Sequence, residues 1–297
     1  MFENVLVCAD GSAASRQACR LAAKLAAQFE SHVTLVTVSE VNPQALGMIM
    51  FELGESSQAA GEEIHSALDR IEREALAEFN ALGILATAVR LEGNAANQIL
   101  KFARETNPSL IALGSNSRSR MEEAILGSVS LSVLRHAHCP VLVARGASAE
   151  FGKVLVGADG SDYSDSAIKL AVQAAPSLQC SVTVLNVCET PDPIAETIND
   201  GTEPCDKQYI QESINRAVAM TPDANRIQPH FRQEAGKPAE SICRIADEEK
   251  FDLVVLGCRG RNALVSLVLG SVSERVARHA NCSVLVVRPS PITMESE

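Results

Sequence analysis

Short β-branched and apolar runs alternate with longer stretches rich in alanine and leucine in both halves of the chain. This alternation predicts βα units that form a parallel sheet. We predict five strands per half, at Asn4–Ala9, His32–Ser39, Ala86–Leu91, Leu110–Leu113 and Val141–Ala144, then Lys153–Ala158, Ser181–Cys188, Ile227–Gln233, Leu253–Leu256 and Ser283–Val287. The predicted helices are Ser15–Phe29, Glu62–Leu82 and Ala95–Glu105, then one after Ser161, Gln208–Met220 and Ala239–Glu249. Right-handed crossovers with helices on both faces predict an open, doubly wound sheet of order 3-2-1-4-5 in each half.

The two halves are copies of one module. The segment Gly114–Ser117 is followed, after nine residues, by Gly127–Ser130, and the segment Gly257–Gly260 is followed, again after nine residues, by Gly270–Ser273. The Asp10-Gly-Ser12 that ends the first strand likewise matches Asp159-Gly-Ser161. A repeat of this length predicts two tandem domains, 1–147 and 150–297, joined by the small-residue segment Gly146–Ala149.

The composition disfavours several classes of protein. The net charge is -11 and there is no run of lysine or arginine, which disfavours binding to nucleic acid or to an anionic membrane. The nine cysteines form no Cys-x-x-Cys pair, which favours reduced thiols over a disulfide framework or a zinc ribbon. With no signal peptide and no apolar segment long enough to span a membrane, the sequence predicts a cytoplasmic protein.

The duplicated motifs fall at the place where an open α/β sheet binds ligands. In the predicted order, strands 1 and 4 flank the switch point, and ligands lie at the carboxyl ends of these strands. In the second half those ends carry Asp159 and Gly257. A glycine loop lets backbone N–H groups approach phosphates, and the start of the helix near Gly270 offers further N–H groups with a positive dipole end. Asp159 is placed to accept hydrogen bonds from a ribose.

These motifs resemble those of the universal stress protein family in its tandem, two-domain form, over nearly the whole sequence. The family's ATP-binding members carry Gly-x-x-Gly, nine residues, then Gly-Ser or Gly-Thr, which is similar to Gly257, Gly260, Gly270 and Ser271; the turn Gly236–Glu240 is also similar. The resemblance implies a Rossmann-like domain that binds ATP, with any Mg²⁺ carried by the nucleotide. In the second copy it implies contacts at Ala158, Asp159, Val187, Gly257, Arg259, Gly260, Gly270, Ser271, Val272 and Ser273.

The first copy departs from the family's motif. Its implied contacts are Asp10, Val38, Gly114, Gly127, Ser128 and Ser130. Ser117 replaces the middle glycine, and a side chain where the backbone needs positive φ or close phosphate approach costs roughly 1 kcal/mol. The first copy is therefore predicted to have a degenerate site. Its extra segment Ala45–Phe51 is expected either to cover the crevice or to line an apolar pocket, with core packing the commoner use.

Several of these residues also have purely structural interpretations. Asp10 and Asp159 are typical helix caps, and Ser271 with Glu274 forms a capping box, so ligand binding would be an additional role. Arg259 and Arg261 either neutralise phosphates or lie solvated on a polar loop. The spacing of His136, His138 and Cys139, partly repeated by His279 and Cys282, disfavours a metal site, because these groups fall at a helix end just before a strand.

The motifs and the resemblance leave three functional classes for this protein. The first is an ATP-binding regulatory protein of the stress response, in which ATP occupancy changes a surface read by an unknown protein partner. The second is a slow ATP hydrolase or an adenylate-forming enzyme, disfavoured because no Gly-Lys-Ser/Thr loop and no repeated general base is present, so no catalytic residue is predicted. The third is a scaffold or apolar-ligand carrier without nucleotide binding.

The sequence also suggests a hypothesis about assembly. The final strand of each copy would be an apolar sheet edge, which invites pairing. We therefore expect the copies to pack as a pseudo-twofold pair within one chain, with a homodimer as a possible further step. The apolar segment Leu264–Leu269 is expected to pack between the domains, since it is far too short to span a membrane.

Overall fold

The computed structural model describes residues 1–40, 57–115, 126–146, 148–188, 207–222, 227–261 and 269–289, without the side chains of 57–61. The chain divides into two compact units, one of Met1–Glu123 and Gly127–Ala144 and the other of Ala124–Leu126 and Arg145–Glu297. The predicted features at Ala45–Phe51, Ser117 and residues 264–268 lie outside the described residues.

Unit 1 is a five-stranded parallel sheet with crossover helices. In chain order its elements are β1 (Asn4–Cys8), α1 (Ala13–Phe29), β2 (His32–Ser39), α2 (Ser57–Asn80), β3 (Ala86–Glu92), α3 (Ala95–Thr106), β4 (Leu110–Gly114), α4 (Ser128–His136) and β5 (Val141–Ala144). The strands pair in the order β3-β2-β1-β4-β5, with every pair parallel. The predicted order 3-2-1-4-5 is confirmed.

Unit 2 repeats this arrangement. Its elements are β6 (Lys153–Gly157), α5 (Asp162–Leu178), β7 (Ser181–Cys188), α6 (Lys207–Ala219), β8 (His230–Ala235), α7 (Pro238–Glu248), β9 (Leu253–Gly257), α8 (Ser271–His279) and β10 (Ser283–Val287). Its strands lie in the order β8-β7-β6-β9-β10, again all parallel. The fold class predicted for both copies is therefore confirmed.

The core of each unit is built on its central strands. All five residues of β4 are buried, as are all five of β9. Helices α1 and α5 pack on these strands through small side chains, among them Ala18, Ala22 and Ala171, which are at most 4% exposed. Small side chains let a helix approach the sheet closely, so the first turn of each helix lies near the carboxyl ends of the strands.

One glycine in each copy makes that approach possible. A Cβ added at Gly114 would lie 2.6 Å from the carbonyl carbon of Ala14, and one added at Gly257 would lie 2.6 Å from that of Tyr163. Real Cβ atoms do not come so close to backbone atoms. Glycine at the end of β4 and of β9 is thus required by the crossing helix, before any ligand is considered.

Strand β8 differs from its predicted bounds. It was expected at Ile227–Gln233 and instead spans His230–Ala235. Pro229 lacks the N–H group that a strand donates to its neighbour, so the regular ladder starts at the next residue. The strand continues to Ala235, before Gly236 at φ 150°.

Two further observations bear on the expectations from composition. Among the described helices, none is both long and apolar enough to cross a membrane. Seven described cysteines carry free thiols, whereas Cys188 is disulfide-bonded. The expectation of reduced thiols therefore fails at Cys188.

Candidate functional site

An aspartate follows the first strand of each copy and organises the turn into the next helix. In unit 1, Oδ1 of Asp10 accepts a hydrogen bond from the Ser12 N–H at 2.9 Å. In unit 2, Oδ1 of Asp159 accepts from both the N–H and the hydroxyl of Ser161, at 3.1 and 2.6 Å. The helix caps themselves are Ser12 and Ser161. The interpretation of the aspartates as helix caps is therefore wrong: they hold the capping residue instead.

In unit 2 the aspartate also holds the glycine-rich loop. Oδ2 of Asp159 accepts a hydrogen bond from the Arg261 N–H at 3.1 Å. A Cβ added at Gly260 would lie 2.5 Å from the same oxygen. A residue with a side chain at position 260 would separate the loop from the end of β6. The structure thus brings the predicted residues Asp159 and Gly260 into direct contact.

The helices after the glycine loops start without a side-chain cap. Gly127 is the N-cap of α4 and Gly270 is the N-cap of α8, and neither helix has a side-chain capping hydrogen bond. The predicted capping box of Ser271 and Glu274 is therefore wrong. Ser271 is the first residue of α8, and Glu274 instead pairs with Arg278 one turn later, at 2.9 Å. The first N–H groups of these helices are not satisfied by a capping side chain, which is the arrangement that binds anions.

A buried serine ties each of these helices to the end of strand 4 of its copy. The Ser130 hydroxyl donates to the Gly114 carbonyl at 2.7 Å, and the Ser273 hydroxyl donates to the Gly257 carbonyl at 2.6 Å. Both serines are 5% exposed. Their hydroxyls are committed to the backbone, so these serines position the helix start. Ser128 and Ser271 are exposed at the helix starts.

Arg259 of the second loop is placed by an aromatic ring. Its guanidinium carbon lies 5.8 Å from the centre of the Tyr163 ring, and Nη1 donates to the Tyr163 hydroxyl at 3.3 Å. Its Nε is buried and has no hydrogen-bond partner. An unsatisfied buried donor is costly unless something accepts from it. Of the two loop arginines, Arg259 thus has a spare donor beside the glycine loop.

The structure shows a cavity of about 830 Å³ at the carboxyl ends of the strands in unit 1. Five of the six contacts predicted for this copy line it, namely Asp10, Val38, Gly114, Ser128 and Ser130. The sixth, Gly127, is the N-cap residue of α4. Cavities of about 300 to 1,000 Å³ are typical of small-molecule sites. The first copy therefore has room for a ligand.

Sequence reasoning missed part of this lining. Ile64, Leu68 and Ile71 of α2 face the cavity, as do Glu40 and Asn94. Asn94 is the N-cap of α3, and Glu40 accepts from the N–H of the next residue, Ala95, at 3.1 Å. An asparagine just before a helical pattern is a recognised sequence signal for a helix N-cap, so Asn94 could have been predicted. The spacing of Ile64, Leu68 and Ile71 alone would have been interpreted as core packing.

In unit 2 the end of β6 is held by side chains that the sequence did not single out. The Asn186 amide donates to the Ala158 carbonyl at 2.8 Å, and the Gln233 amide donates to the Asn186 side chain at 3.1 Å. Ala158 also donates its N–H to Leu185. These contacts fix the strand ends beside Asp159 and Val187.

Two histidines of the first copy have local partners, and the cysteine thiols are buried. His136 contacts the Ser132 carbonyl at 2.8 Å, and His138 contacts the Asn107 side chain at 3.1 Å. Across the part of the chain that the structure describes, no group of three or more His, Cys, Asp or Glu residues could hold a metal ion. Burial raises the pKa of the Cys8 thiol, and burial raises that of Cys282 to about 12. These thiols stay neutral at physiological pH.

Comparison with known proteins places the chain in a family. The family model described as "Universal stress protein family" matches residues 1–145 and 150–288. The chain belongs to the universal stress protein family. A universal stress protein of Mycolicibacterium smegmatis (strain ATCC 700084 / mc(2)155) is 29% identical over 294 residues, which cover 96% of this chain and 97% of that protein. The tandem organisation is thus shared along the full alignment.

Two further similarities agree with this. A universal stress protein of Thermus aquaticus is 33% identical over 142 residues, 46% of this chain and 99% of that protein, so one copy corresponds to a whole relative. The crystal structure of a universal stress protein from Archaeoglobus fulgidus DSM 4304 matches 98% of both chains, with a TM-score of 0.69 and 23% identity. At that identity, the match supports the fold of this universal stress protein alone.

Proposed function

We propose that this universal stress protein binds ATP at the second copy's crevice, at the carboxyl ends of β6 and β9, and acts as a nucleotide-dependent regulator. The observation that carries the proposal is the uncapped start of α8, which packs against the glycine loop held by Asp159. Free helical N–H groups and a glycine loop favour phosphate oxygens. In this proposal Gly257, Gly260 and Gly270 give the phosphates close access to the backbone.

The remaining contacts follow from the same arrangement. A Cβ at Gly270 would lie 3.3 Å from Arg259 Cα, so the glycine loop packs directly against the start of α8. The unpartnered Nε of Arg259 supplies a cationic donor there. We assign the ribose to Asp159 and the adenine to the ends of β6 and β7, beside Ala158 and Val187. Ser271, Val272 and Ser273 would complete the phosphate cradle, with Mg²⁺ carried by the nucleotide.

Occupancy of this site would change a surface that another protein recognises. The loop on one side of the crevice is held to Asp159 by a hydrogen bond from Arg261 that a ribose hydroxyl would compete with. ATP binding would therefore shift the loop relative to β6. A regulatory role follows, because such a shift is a two-state change driven by the ligand. The partner that recognises it, and any homodimer, remain part of this proposal.

Titration calorimetry of Mg²⁺–ATP into nucleotide-free protein tests the proposal. We expect about one equivalent to bind and the heat to disappear in Gly260→Asp, because the added carboxylate would meet both Asp159 and the phosphates. Gly83→Asp is the matched control: it adds the same charge at an exposed turn where no atom beyond the neighbouring residues lies within 4 Å of the new Cβ, and aspartate is one of the residues that tolerates the φ of 72° there. Absence of binding by folded, nucleotide-free wild type would overturn the proposal. Unchanged affinity in Gly260→Asp would move the ATP site away from this loop.

A further inference from the structure

One cysteine of unit 2 differs in its chemistry from the other described cysteines. Cys188 is disulfide-bonded, whereas seven others carry reduced thiols. The sequence has nine cysteines, and the ninth, Cys205, lies outside the described residues. Counting therefore leaves Cys205 as the cysteine of this chain that can pair with Cys188. Where most thiols of a protein are reduced, an isolated disulfide is typical of a redox-responsive site and not of a disulfide scaffold.

Cys188 lies at the rim of the proposed nucleotide crevice. It is the last residue of β7 and directly follows Val187, beside which the adenine is assigned. It pairs with Ala235 of β8, and its carbonyl accepts a hydrogen bond from the Gly236 N–H at 2.8 Å. Cys188 is only half-buried, so small oxidants and reductants have access to this strand end.

Two amide side chains connect the Cys188 sulfur to the end of β6. The Gln233 amide donates from Nε2 to Cys188 Sγ at 3.2 Å and to Asn186 Oδ1 at 3.1 Å. The Asn186 amide donates in turn to the Ala158 carbonyl at 2.8 Å, and Asn186 is only 4% exposed. Ala158 immediately precedes Asp159, to which the ribose is assigned. The sulfur is thus joined by hydrogen bonds to the adenine and ribose end of the crevice.

The first copy has the same strand end without a sulfur. Ser39 ends β2, which has the same pattern of burial as β7, and the Ser39 carbonyl accepts from the Gly93 N–H at 2.9 Å. A serine therefore builds this strand end as well as a cysteine does. The fold does not require the cysteine that stands at the end of β7.

The reduced thiols of unit 2 are poor targets for an oxidant. Burial raises the pKa of Cys180 to about 11 and that of Cys282 to about 12, and it also raises the pKa of Cys243 and of Cys258. Peroxides react with the thiolate and not with the thiol. These four thiols are therefore expected to react slowly at neutral pH and not to compete with the cysteine pair.

We propose that Cys188 and Cys205 form a reversible thiol–disulfide pair that orders the adenine end of the crevice and thereby sets its affinity for ATP. The disulfide fixes the sulfur to which Gln233 donates, so the oxidised form is preorganised for the nucleotide and the reduced form is not. This inference rests on the ATP site proposed for unit 2.

The reaction needs one oxidant and one reductant. On oxidation, the two thiols and one hydrogen peroxide give the disulfide and two water molecules. The sulfurs lose two electrons, the O–O bond breaks, and both thiol protons end on the water molecules. On reduction, a dithiol transfers two electrons and two protons to the pair and becomes a disulfide itself.

Titration calorimetry of Mg²⁺–ATP into the full chain tests the coupling, with one sample oxidised by hydrogen peroxide and one reduced by dithiothreitol. We expect the oxidised protein to bind ATP about three- to tenfold more tightly than the reduced protein. Cys188→Ser and Cys205→Ser should bind with the affinity of the reduced protein and lose the response to peroxide. Cys180→Ser, just before the opposite end of β7, is the matched control and should keep the response.

Two further measurements make the result independent of nucleotide. Peptide mapping by mass spectrometry after alkylation should find Cys188 linked to Cys205 in the oxidised sample and alkylated in the reduced one. Amides at the carboxyl ends of β6 and β7 should exchange hydrogen faster in the reduced protein. Because Ser39 occupies the equivalent place in unit 1, Cys188→Ser is expected to fold, which circular dichroism checks.

The outcomes separate this inference from the function on which it rests. Equal or tighter ATP binding by the reduced protein would overturn the inference and leave the ATP site of unit 2 intact. Failure of ATP to bind either form would overturn the proposed function, even where the exchange of the β6 and β7 amides still responded to reduction. Recovery of Cys188 as a thiol after peroxide treatment, or linked to a different cysteine, would overturn the pair whatever ATP does.

Discussion

The helix after the second strand is attached to its sheet in a different way in each copy. In unit 1, Arg90 on β3 donates from Nε to Glu72 of α2 at 2.6 Å and also pairs with Asp69 of the same helix. Glu72 accepts in addition from the Thr37 hydroxyl on β2 at 2.9 Å. Helix α2, which lines the cavity, is therefore held to the sheet by hydrogen bonds and ion pairs of charged side chains.

Unit 2 uses a neutral pair at the equivalent sheet positions. Asn186 and Gln233 occupy the places of Thr37 and Arg90, and they bond to each other rather than to a helix. Helix α6 is held instead from α5, where Asp165 accepts from Ser213 and, at 2.9 Å, from Arg216. The duplicated module has kept its strand order and the glycines Gly114 and Gly257 at the strand ends, whereas the side-chain contacts that hold this helix differ between the copies. The backbone of the site is thus constrained by the fold, whereas the ligand-facing walls are free to differ.

The largest loss of stability is expected at the strand-end glycines that the two copies share. Gly114→Ala and Gly257→Ala should each destabilise their own unit by about 3 kcal/mol, because the new Cβ would overlap the backbone of the crossing helix. Hydrogen exchange of the β4 and β9 amides, followed by mass spectrometry, measures each unit separately. Gly152→Ala is the control, since its Cβ would make only an ordinary 3.4 Å contact with Asp252. A loss below about 1 kcal/mol in either copy would show that the helix can move aside.

These shared features are also the ones that could be predicted from the sequence. The alternation of apolar strands and amphipathic helices led to the observed strand order, because the elements follow from local periodicity and their order follows from connection rules. The convergence of Asp159 with Gly260 followed because each comes shortly after one of the two strands, β6 and β9, that flank the switch point.

The features that differ between the copies could not be predicted in the same way. The fastening of Glu72 by Arg90 joins residues that are close only in the folded sheet, so no local pattern marks it. The capping box at Ser271 was a valid local pattern, but the close contact of the loop with Gly270 moved the helix start by one residue. Tertiary packing overrode the local preference there.

The second largest loss of stability is expected from removing the side-chain contacts that hold α6 to α5 in unit 2. Asp165→Ala should destabilise α6 by about 2 kcal/mol, because it leaves the Ser213 hydroxyl, which belongs to a residue only 4% exposed, without its charged acceptor. Exchange of the α6 amides should rise while that of α2 amides changes little. Asp162→Ala, on the exposed first turn of the same helix α5, controls for loss of an acidic residue near the helix start. Equal effects of the two substitutions would mean that the contact with Ser213 contributes nothing specific.

A smaller effect is expected from the serines that hold the helix starts. Ser130→Ala and Ser273→Ala should each cost about 1 kcal/mol, since each leaves a buried carbonyl at the end of β4 or β9 without its donor. Urea unfolding monitored by circular dichroism measures this. Ser128→Ala, at an exposed position, should cost less. If the sites diverged as proposed, Ser273→Ala alone should also weaken ATP binding, whereas Ser130→Ala should leave it unchanged.

The smallest change in stability is expected from breaking the ion pairs between β3 and α2 in unit 1. Hydrogen bonding to Arg90 lowers the pKa of Glu72, and the pKa of Asp69 is lowered by the same guanidinium. A carboxyl group whose pKa is lowered on folding stabilises the folded state above its unfolded pKa of about 4.3, and this stabilisation is lost as the pH falls through the folded value. Arg90 is 36% exposed, so solvent screens the pair and its contribution is at most about 1 kcal/mol.

Replacing Arg90 should therefore matter at neutral pH and not in acid. Arg90→Gln should lower the stability of α2 by about 0.5 to 1 kcal/mol at pH 7, with the deficit shrinking as the pH falls below the unfolded pKa of about 4.3, because protonation of Glu72 removes its ion pair with Arg90. Arg70→Gln removes the same charge from the exposed surface of α2 and should show no such dependence on pH. A deficit that persists unchanged at pH 3 would mean that Arg90 acts through packing of its aliphatic part, and that the two copies differ less in their fastenings than the ion pairs indicate.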